Sequence, residues 1–220
     1  QIVKEKHVEI SQFTLKDIIR QTVFSISDNE NTKVMTGELF EITDNKLKVV
    51  SLDGHRISIR NVELNNSYDN ISVIIPGKTL IEINKILNGG VDDIVKIYFT
   101  DKHILFEFEN TVVLSRLIEG EYYKIDKMLS SDYETKITVN KKEMLDSIDR
   151  TTLLMKESEK KPVIIDIKDN SMGLAMNSSI GSMDEEIDAV KEGKDILIGF
   201  NPRFLIDALR VIDDEEITLY

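Results

Sequence analysis

Apolar and polar residues alternate along this chain at two periods. Val95-Lys96-Ile97-Tyr98-Phe99 and Ile104-Leu105-Phe106-Glu107-Phe108-Glu109 repeat every second residue, the spacing of half-buried strands, around a hairpin loop at 100–103. A further meander covers 38–42, 47–52 and 56–60. Its turns fall at Asp44-Asn45 and Asp53-Gly54, dipeptides that supply the positive φ of tight hairpins. Neighbouring strands are therefore expected to be antiparallel.

Four segments change to helical period. In 14–26, with Thr14 as N-cap, Leu15, Ile18, Ile19, Val23 and Ile26 share one side. In 77–88, Leu80, Ile83, Ile86 and Leu87 point inward. The segment 140–156 opens with Asn140 and a Glu143 at the third helical position, and buries Met144, Leu145 and Ile148. The last, 201–212, opens Asn201-Pro202 and buries Leu205, Ile206, Leu209 and Ile212.

These segments repeat. Pro76, Leu80, Ile83 and Ile86 lie 126 residues before Pro202, Ile206, Leu209 and Ile212; Ile18-Ile19 lie 126 before Met144-Leu145, and Asp44-Asn45 lie 125 before Asp169-Asn170. The reading is an α+β protein of repeated units, each with two helices packed on antiparallel sheets. The domains are expected at 1–122 and 123–220, joined through an extended polar stretch about 121–133. The second copy is expected to stop before its last strands, at Ile217-Thr218-Leu219-Tyr220.

Composition narrows the possibilities. The 220 residues include no Cys, which excludes disulfides and thiolate metal sites, and 41% hydrophobic with 31% charged residues describes an ordinary folded protein. No apolar run approaches a membrane span, and Gln1-Ile2-Val3-Lys4-Glu5-Lys6 lacks a signal-peptide layout, so a cytoplasmic location is expected. The net charge of −12 would repel nucleic acid if it were spread evenly. It is not. The four helical segments carry ten basic residues, Lys156 among them, against six acidic ones, so the helices are +4 and the remainder −16. A mildly basic helical face on an acidic body suits a phosphate backbone, although Lys and Arg are also ordinary residues of solvated helices.

Catalytic chemistry is hard to find. His7, His55 and His103 are scattered, and no Walker or Rossmann glycine loop is present. Asn88-Gly89-Gly90 reads as a helix C-cap and turn. The acidic pairs Asp92-Asp93, Glu185-Glu186 and Asp213-Asp214 read as solvated loop charge, so no metal, no cofactor and no catalytic residue are expected. Asp53-Gly54-His55-Arg56 stands out. It is a tight turn carrying two side chains able to make specific contacts, flanked by Leu52 and Ile57.

Several runs together resemble a known family. They are Met35-Thr36-Gly37-Glu38-Leu39-Phe40, Leu47-Lys48-Val49-Val50-Ser51-Leu52-Asp53-Gly54-His55-Arg56-Ile57, Val73-Ile74-Ile75-Pro76-Gly77-Lys78, Ser115-Arg116-Leu117-Ile118-Glu119-Gly120-Glu121-Tyr122 and Ile198-Gly199-Phe200-Asn201-Pro202-Arg203-Phe204. They are similar to the bacterial DNA polymerase III beta subunits, the replicative sliding clamps, over essentially the whole chain. The resemblance implies the DNA-clamp fold and a homodimer ring of three-domain subunits when full length, with helices lining the hole. This chain would hold the second domain and most of the third. It implies a non-catalytic processivity factor that encircles duplex DNA without reading sequence.

The resemblance also implies a hydrophobic cleft between the second and third domains for short motifs. Those motifs come from the DNA polymerase III alpha subunit, the clamp loader, and other polymerases and repair proteins. Matching positions are Met35, Leu52, Gly54, His55, Arg56, Ile57, Tyr123, Lys127, Met128, Asn201 and Phe204. A proline common in the family is Tyr123 here, and an arginine is Lys127. Lys78 and Lys33 match the family's DNA-facing positions. The charge pattern adds Lys16, Arg20, Lys85, Lys142, Arg150, Arg203 and Arg210. The competing reading is an acidic β-rich interaction scaffold that never touches DNA.

Overall fold

A computed structural model describes residues 7–129, 132–155 and 161–220. The chain divides into two units, 1–123 and 124–220.

In the first unit, strand β1 (Val8–Ser11) runs without a loop into helix α1 (Gln12–Thr22). Ser11 is the N-cap, its hydroxyl accepting from the Thr14 amide at 3.1 Å. Thr14, expected as the cap, is instead within the first turn. The helix begins two residues earlier than the apolar pattern suggests and ends at Thr22. Val23 therefore opens a 3-10 turn (Val23–Ser25), and Ile26 lies beyond it in extended backbone. A second 3-10 segment (Glu30–Thr36) leads to β2 (Gly37–Leu52) and β3 (Ile57–Pro76), a long antiparallel ladder from Gly37↔Pro76 to Leu52↔Ile57. The expected turn at Asp44-Asn45 is not a break between separate strands. It is an irregularity within β2, where Asp44 has φ +56° and the register with β3 shifts on both sides. Helix α2 (Gly77–Ile86) follows, then β4 (Ile94–Phe99), β5 (His103–Phe108) and β6 (Thr111–Arg116), in a sheet ordered β1-β4-β5-β6. The 100–103 loop closes as expected, with Thr100 N–H donating to the His103 carbonyl at 2.9 Å.

The second unit repeats the plan. β7 (Thr135–Asn140) runs directly into α3 (Lys141–Thr152), whose N-cap Asn140 accepts from the Glu143 amide at 3.0 Å. The expected extension of this helix to 156 is not seen through Met155, and Lys156 lies outside the described residues. Strands β8 (Val163–Lys168), β9 (Ser171–Ser178), β10 (Gly181–Gly193) and β11 (Ile196–Phe200) precede α4 (Pro202–Val211) and β12 (Glu216–Leu219). The sheet order is β11-β8-β9-β10-β7-β12, with every pairing antiparallel. At the start of the second unit, residues 125–127 form a 3-10 turn with buried Ile125, where an extended polar stretch was expected.

Each unit has its own core. Leu15, Ile18, Ile19, Leu80 and Ile83 of the first helix pair meet Phe40, Val49, Ile75, Ile97 and Phe106. Met144, Ile148, Ile206 and Leu209 meet Ile137, Ile165, Met172 and Leu174 in the second. Four expected core positions differ. Ile86 is 46% exposed because α2 ends there, Leu87 turning inward in extended backbone, and Leu145, Leu205 and Ile212 are only half-buried.

The repeat is real but its register is not uniform. The N-caps Ser11 and Asn140 are 129 residues apart, and buried Leu15 and Met144, Ile19 and Ile148, Thr22 and Thr151 share that spacing. After the first helix the spacing falls to 125: Asp44 and Asp169 both have positive φ, and the α2 and α4 starts, Gly77 and Pro202, correspond, while the buried Leu80 and Ile206, Ile83 and Leu209 keep the expected 126. The difference of four is a length change: 14 residues separate α1 from β2, and 10 separate α3 from β8.

Candidate functional site

The β2–β3 hairpin tip of the first unit is held by several side-chain hydrogen bonds. Gly54 has φ +89°, which favours glycine. Asp53 Oδ1 accepts from the His55 and Arg56 amides at 2.9 and 3.1 Å, and Oδ2 accepts from Arg56 Nε at 3.0 Å. Arg56 Nη2 then crosses to the Phe24 carbonyl at 2.8 Å, and its guanidinium carbon lies 5.3 Å from the Phe24 ring centroid. Ser58 Oγ contacts Ser25 Oγ at 2.5 Å, and Ser51 Oγ donates to the Thr22 carbonyl at 2.5 Å. The hairpin tip is thus fastened to the segment following α1. His55 is presented at the surface, Leu52 is buried beneath the turn and Ile57 is half-buried.

Below this platform lies a buried carboxyl. Glu38 is fully enclosed, and its Oε1 has no hydrogen-bond partner among the described residues. Burial pushes its pKa up to about 8, against a smaller opposing effect of the Thr22 hydroxyl. Thr22 Oγ1 is 2.7 Å from the Ile18 carbonyl and 3.1 Å from Glu38 Oε2. One hydroxyl proton cannot serve both. The shorter bond takes it, and a protonated Glu38 donates to Thr22 Oγ1. Tyr122 is buried nearby, its hydroxyl donating to the Gly37 carbonyl at 3.3 Å. Burial and the proximity of Glu38 raise its pKa, opposed by a backbone hydrogen bond at Leu52.

The remaining candidates for a peptide site distribute as follows. In the first unit, Met35 is half-buried in the 3-10 segment before β2 and Tyr123 is 40% exposed. In the second, Lys127 is exposed at the end of its 3-10 turn and Met128 is 56% exposed. Asn201 caps α4 by accepting from the Arg203 amide at 3.0 Å, and Phe204 is half-buried on that helix. The structure brings Leu52, Gly54, His55, Arg56 and Ile57 together in one turn.

The candidate DNA-facing residues are all on helices except Lys33, exposed in the 3-10 segment Glu30–Thr36. Helices α1 and α2 pack together, as do α3 and α4. Most of the cations have partners. Arg20 pairs with Asp17, Lys85 with Glu82 at 2.8 Å, Lys142 with Asp146, Arg150 with Glu185, and Arg210 with Asp149 at 3.1 Å. Lys16 Nζ donates to the Leu87 carbonyl and Lys141 Nζ to the Ile212 carbonyl, each at 2.8 Å, closing the C-terminus of the other helix in its unit. Lys78 is exposed, with no ion pair among the described residues, and Arg203 is exposed. With the observed helix boundaries the four helices carry nine basic and six acidic residues, +3 where +4 was expected, because Lys156 falls outside α3. Exposed pairs of this kind are weak enough to yield to a phosphate.

Glu185 is not loop charge, as expected, but a strand residue of β10. Arg150 holds its carboxyl below the usual range, and Ser147 Oγ donates to it at 2.7 Å. Among the described residues no three His, Cys, Asp or Glu side chains are grouped to hold a metal ion. Phe24, Glu38 and Tyr122 are what the sequence reading passed over. Glu38 could have been found, since it continues the inward alternation of Phe40 and Ile42.

Comparison with known proteins adds a family. Residues 9–124 match the model of the DNA polymerase III beta subunit central domain, and 126–220 that of its C-terminal domain. A Beta sliding clamp of Staphylococcus aureus is 35% identical over 99% of this chain, which spans 58% of that relative's length. A crystal structure from Eubacterium rectale, given provisionally as a DNA polymerase III beta subunit, is 64% identical with a TM-score of 0.98, covering 100% of this chain and 60% of its own. The DNA polymerase sliding clamp of Bacillus subtilis is 35% identical with a TM-score of 0.96, covering 99% of this chain and 58% of its own.

Proposed function

The chain belongs to the DNA polymerase III beta subunit family, and from that premise we propose that it serves in a processivity clamp. The clamp encircles duplex DNA as a homodimer ring in the whole protein, tethers the replicative polymerase, and has no catalysis of its own. The observation that carries the reading is the duplicated unit: two consecutive folds, each with a packed helix pair on antiparallel sheets, matching successive domains of that family.

The physical logic is one of weak, replaceable contacts. A topological tether needs no tight grip, and a net +3 over four helices in a chain of −12 supplies mild attraction to phosphates without sequence readout. Lys16, Arg20, Lys33, Lys78, Lys85, Lys142, Arg150, Arg203 and Arg210 are the residues proposed to face DNA. Partner proteins are proposed to dock by short motifs on Met35, Leu52, Gly54, His55, Arg56, Ile57 and Tyr123 of the first unit, with Lys127, Met128, Asn201 and Phe204 of the second. Apolar walls would take the leucine and aromatic anchors of a motif, while polar groups at the hairpin tip fix its backbone. The alpha subunit, the clamp loader, and other polymerases and repair proteins are the proposed partners, in the cytoplasm.

The test uses the whole subunit that carries this sequence, loaded on nicked circular DNA. Retention at a salt concentration that strips ordinary electrostatic binders, followed by release when the circle is linearised, is the expected result. Binding that salt abolishes and linearisation leaves unchanged would favour the acidic scaffold without a DNA role.

A further inference from the structure

Arg56 is a member of the hairpin tip whose side chain is held by a residue far away in sequence. Its backbone and Nε are held by Asp53, within the turn. Its far end is held by Phe24: Nη2 donates to the Phe24 carbonyl at 2.8 Å, and the ring lies under the guanidinium with 5.3 Å between its centroid and Cζ. The side chain is only 19% exposed as a result.

The second unit shows that the fold does not require this arrangement. At the equivalent spacing of 129, Phe24 corresponds to Leu153, which is 77% exposed. At the spacing of 125, Arg56 corresponds to Gly181, and Asp53 to Ser178. Ser178 accepts from the Ile180 amide at 3.2 Å, just as Asp53 accepts from the His55 amide at 2.9 Å. The turn-forming hydrogen bond is common to both units, whereas the arginine and its aromatic clamp occur only in the first. A feature absent from the duplicate serves something other than closing the hairpin.

We infer that Phe24 is a positioning residue for partner docking: its ring and carbonyl hold the Arg56 guanidinium at the hairpin tip in the orientation that a bound motif meets. The inference rests on the peptide-docking reading above. The aromatic face stabilises a cation that would otherwise sample several rotamers, so the binding partner does not have to order it. Leucine at position 24 would keep the backbone carbonyl and most of the apolar bulk but lose the π face. Tyrosine would keep that face.

The experiment compares the wild type with Phe24→Leu, Phe24→Tyr and Arg56→Ala. One readout is fluorescence anisotropy of a labelled synthetic peptide with leucine and aromatic anchors. The second is the Arg56 Nε–H resonance in nitrogen-15 NMR, recorded without peptide. Expected are a loss of affinity of about threefold to tenfold in Phe24→Leu, near wild-type affinity in Phe24→Tyr, and an Arg56 signal moved toward that of a free arginine only in the leucine variant. Arg56→Ala should weaken binding at least as much as Phe24→Leu. Peptide binding weakened by Arg56→Ala but untouched by Phe24→Leu would overturn the inference and leave the docking reading standing. A wild type that does not bind the peptide would overturn the docking reading instead, with the Arg56 signal still deciding whether Phe24 holds the guanidinium. Equal weakening in Phe24→Leu and Phe24→Tyr with an unmoved Arg56 signal would reduce Phe24 to packing alone and overturn the inference.

Discussion

The two units of this chain reach the same architecture with different chemistry at equivalent places. Glu38 pairs with Ile75 in the first unit, and Val163 with Phe200 in the second. Both positions are completely buried, yet one holds an acid whose Oε1 has no hydrogen-bond partner among the described residues and the other an ordinary valine. The ion pair between first helix and sheet is reversed as well. Asp17 of α1 faces Arg60 of β3 at 3.7 Å, while Arg150 of α3 faces Glu185 of β10. Even the lysine that closes the second helix comes from different turns, Lys16 near the middle of α1 and Lys141 at the first position of α3. The fold therefore demands an apolar stripe, a cap and a closed carbonyl. Which residue supplies the charge or the hydrogen bond is open to change.

The sharpest way to break this comparison is to give the first unit the residue of the second. An unfolded Glu38 ionises near its ordinary 4.5 and the folded one near 8, so the folded state retains a proton that the unfolded chain has lost between those values. The stability that this group contributes should therefore be full below pH 4.5 and fall as pH rises to 8, by about 4 kcal/mol. Glu38→Val should remove that slope, and Thr22 would keep its bond to the Ile18 carbonyl. Urea denaturation at pH 5 and pH 8, followed by hydrogen exchange of the β2–β3 amides, checks it. Identical pH slopes in variant and wild type would show that Glu38 is not the buried neutral acid its surroundings indicate.

A smaller effect tests the sameness of the units. Ser11→Ala and Asn140→Ala each remove the oxygen that caps the first helix of a unit, and each should cost about 1 kcal/mol, read as earlier exchange in α1 or α3 alone. A cost at Thr14→Ala as large as that of Ser11→Ala would restore Thr14 as the cap. Smallest of all should be the reversed ion pairs. Arg150→Ala and Arg60→Ala should destabilise less than either cap variant, and the difference from wild type should vanish in 1 M salt, on the order of a 3 Å screening length. A persistent effect at high salt would mean that one of these pairs carries more than surface charge.

Local patterns made the helices and most hairpins legible, because period and turn chemistry are properties of neighbouring residues. Ser11 and Thr14 illustrate the limit. Both can cap, both lie in the same turn with their hydroxyls 2.8 Å apart, and only the extended backbone at Ser11 decides between them. The repeat was legible, but a single offset concealed the four-residue difference after the first helix. Asp53-Gly54-His55-Arg56 drew attention as a turn with specific side chains. Its link to Phe24 was invisible, since 32 residues separate the partners and no periodicity connects them. The helical excess of positive charge was legible too. What the sequence could not show is how many of those cations are already occupied by neighbours or by the carbonyl ends of adjacent helices.

The direct passage of β1 into α1, and of β7 into α3, sets where this duplicated unit can tolerate insertion. The capping residue is also the last residue of the strand, so one added residue at that junction would turn the whole helix by about 100° and carry its apolar stripe off the sheet. At the other end of the same helix the two copies already differ by four residues without disturbing the strands that follow. Length variation in this lineage should thus be found after the first helix of each unit, and an engineered tag or domain placed there would leave the core in register.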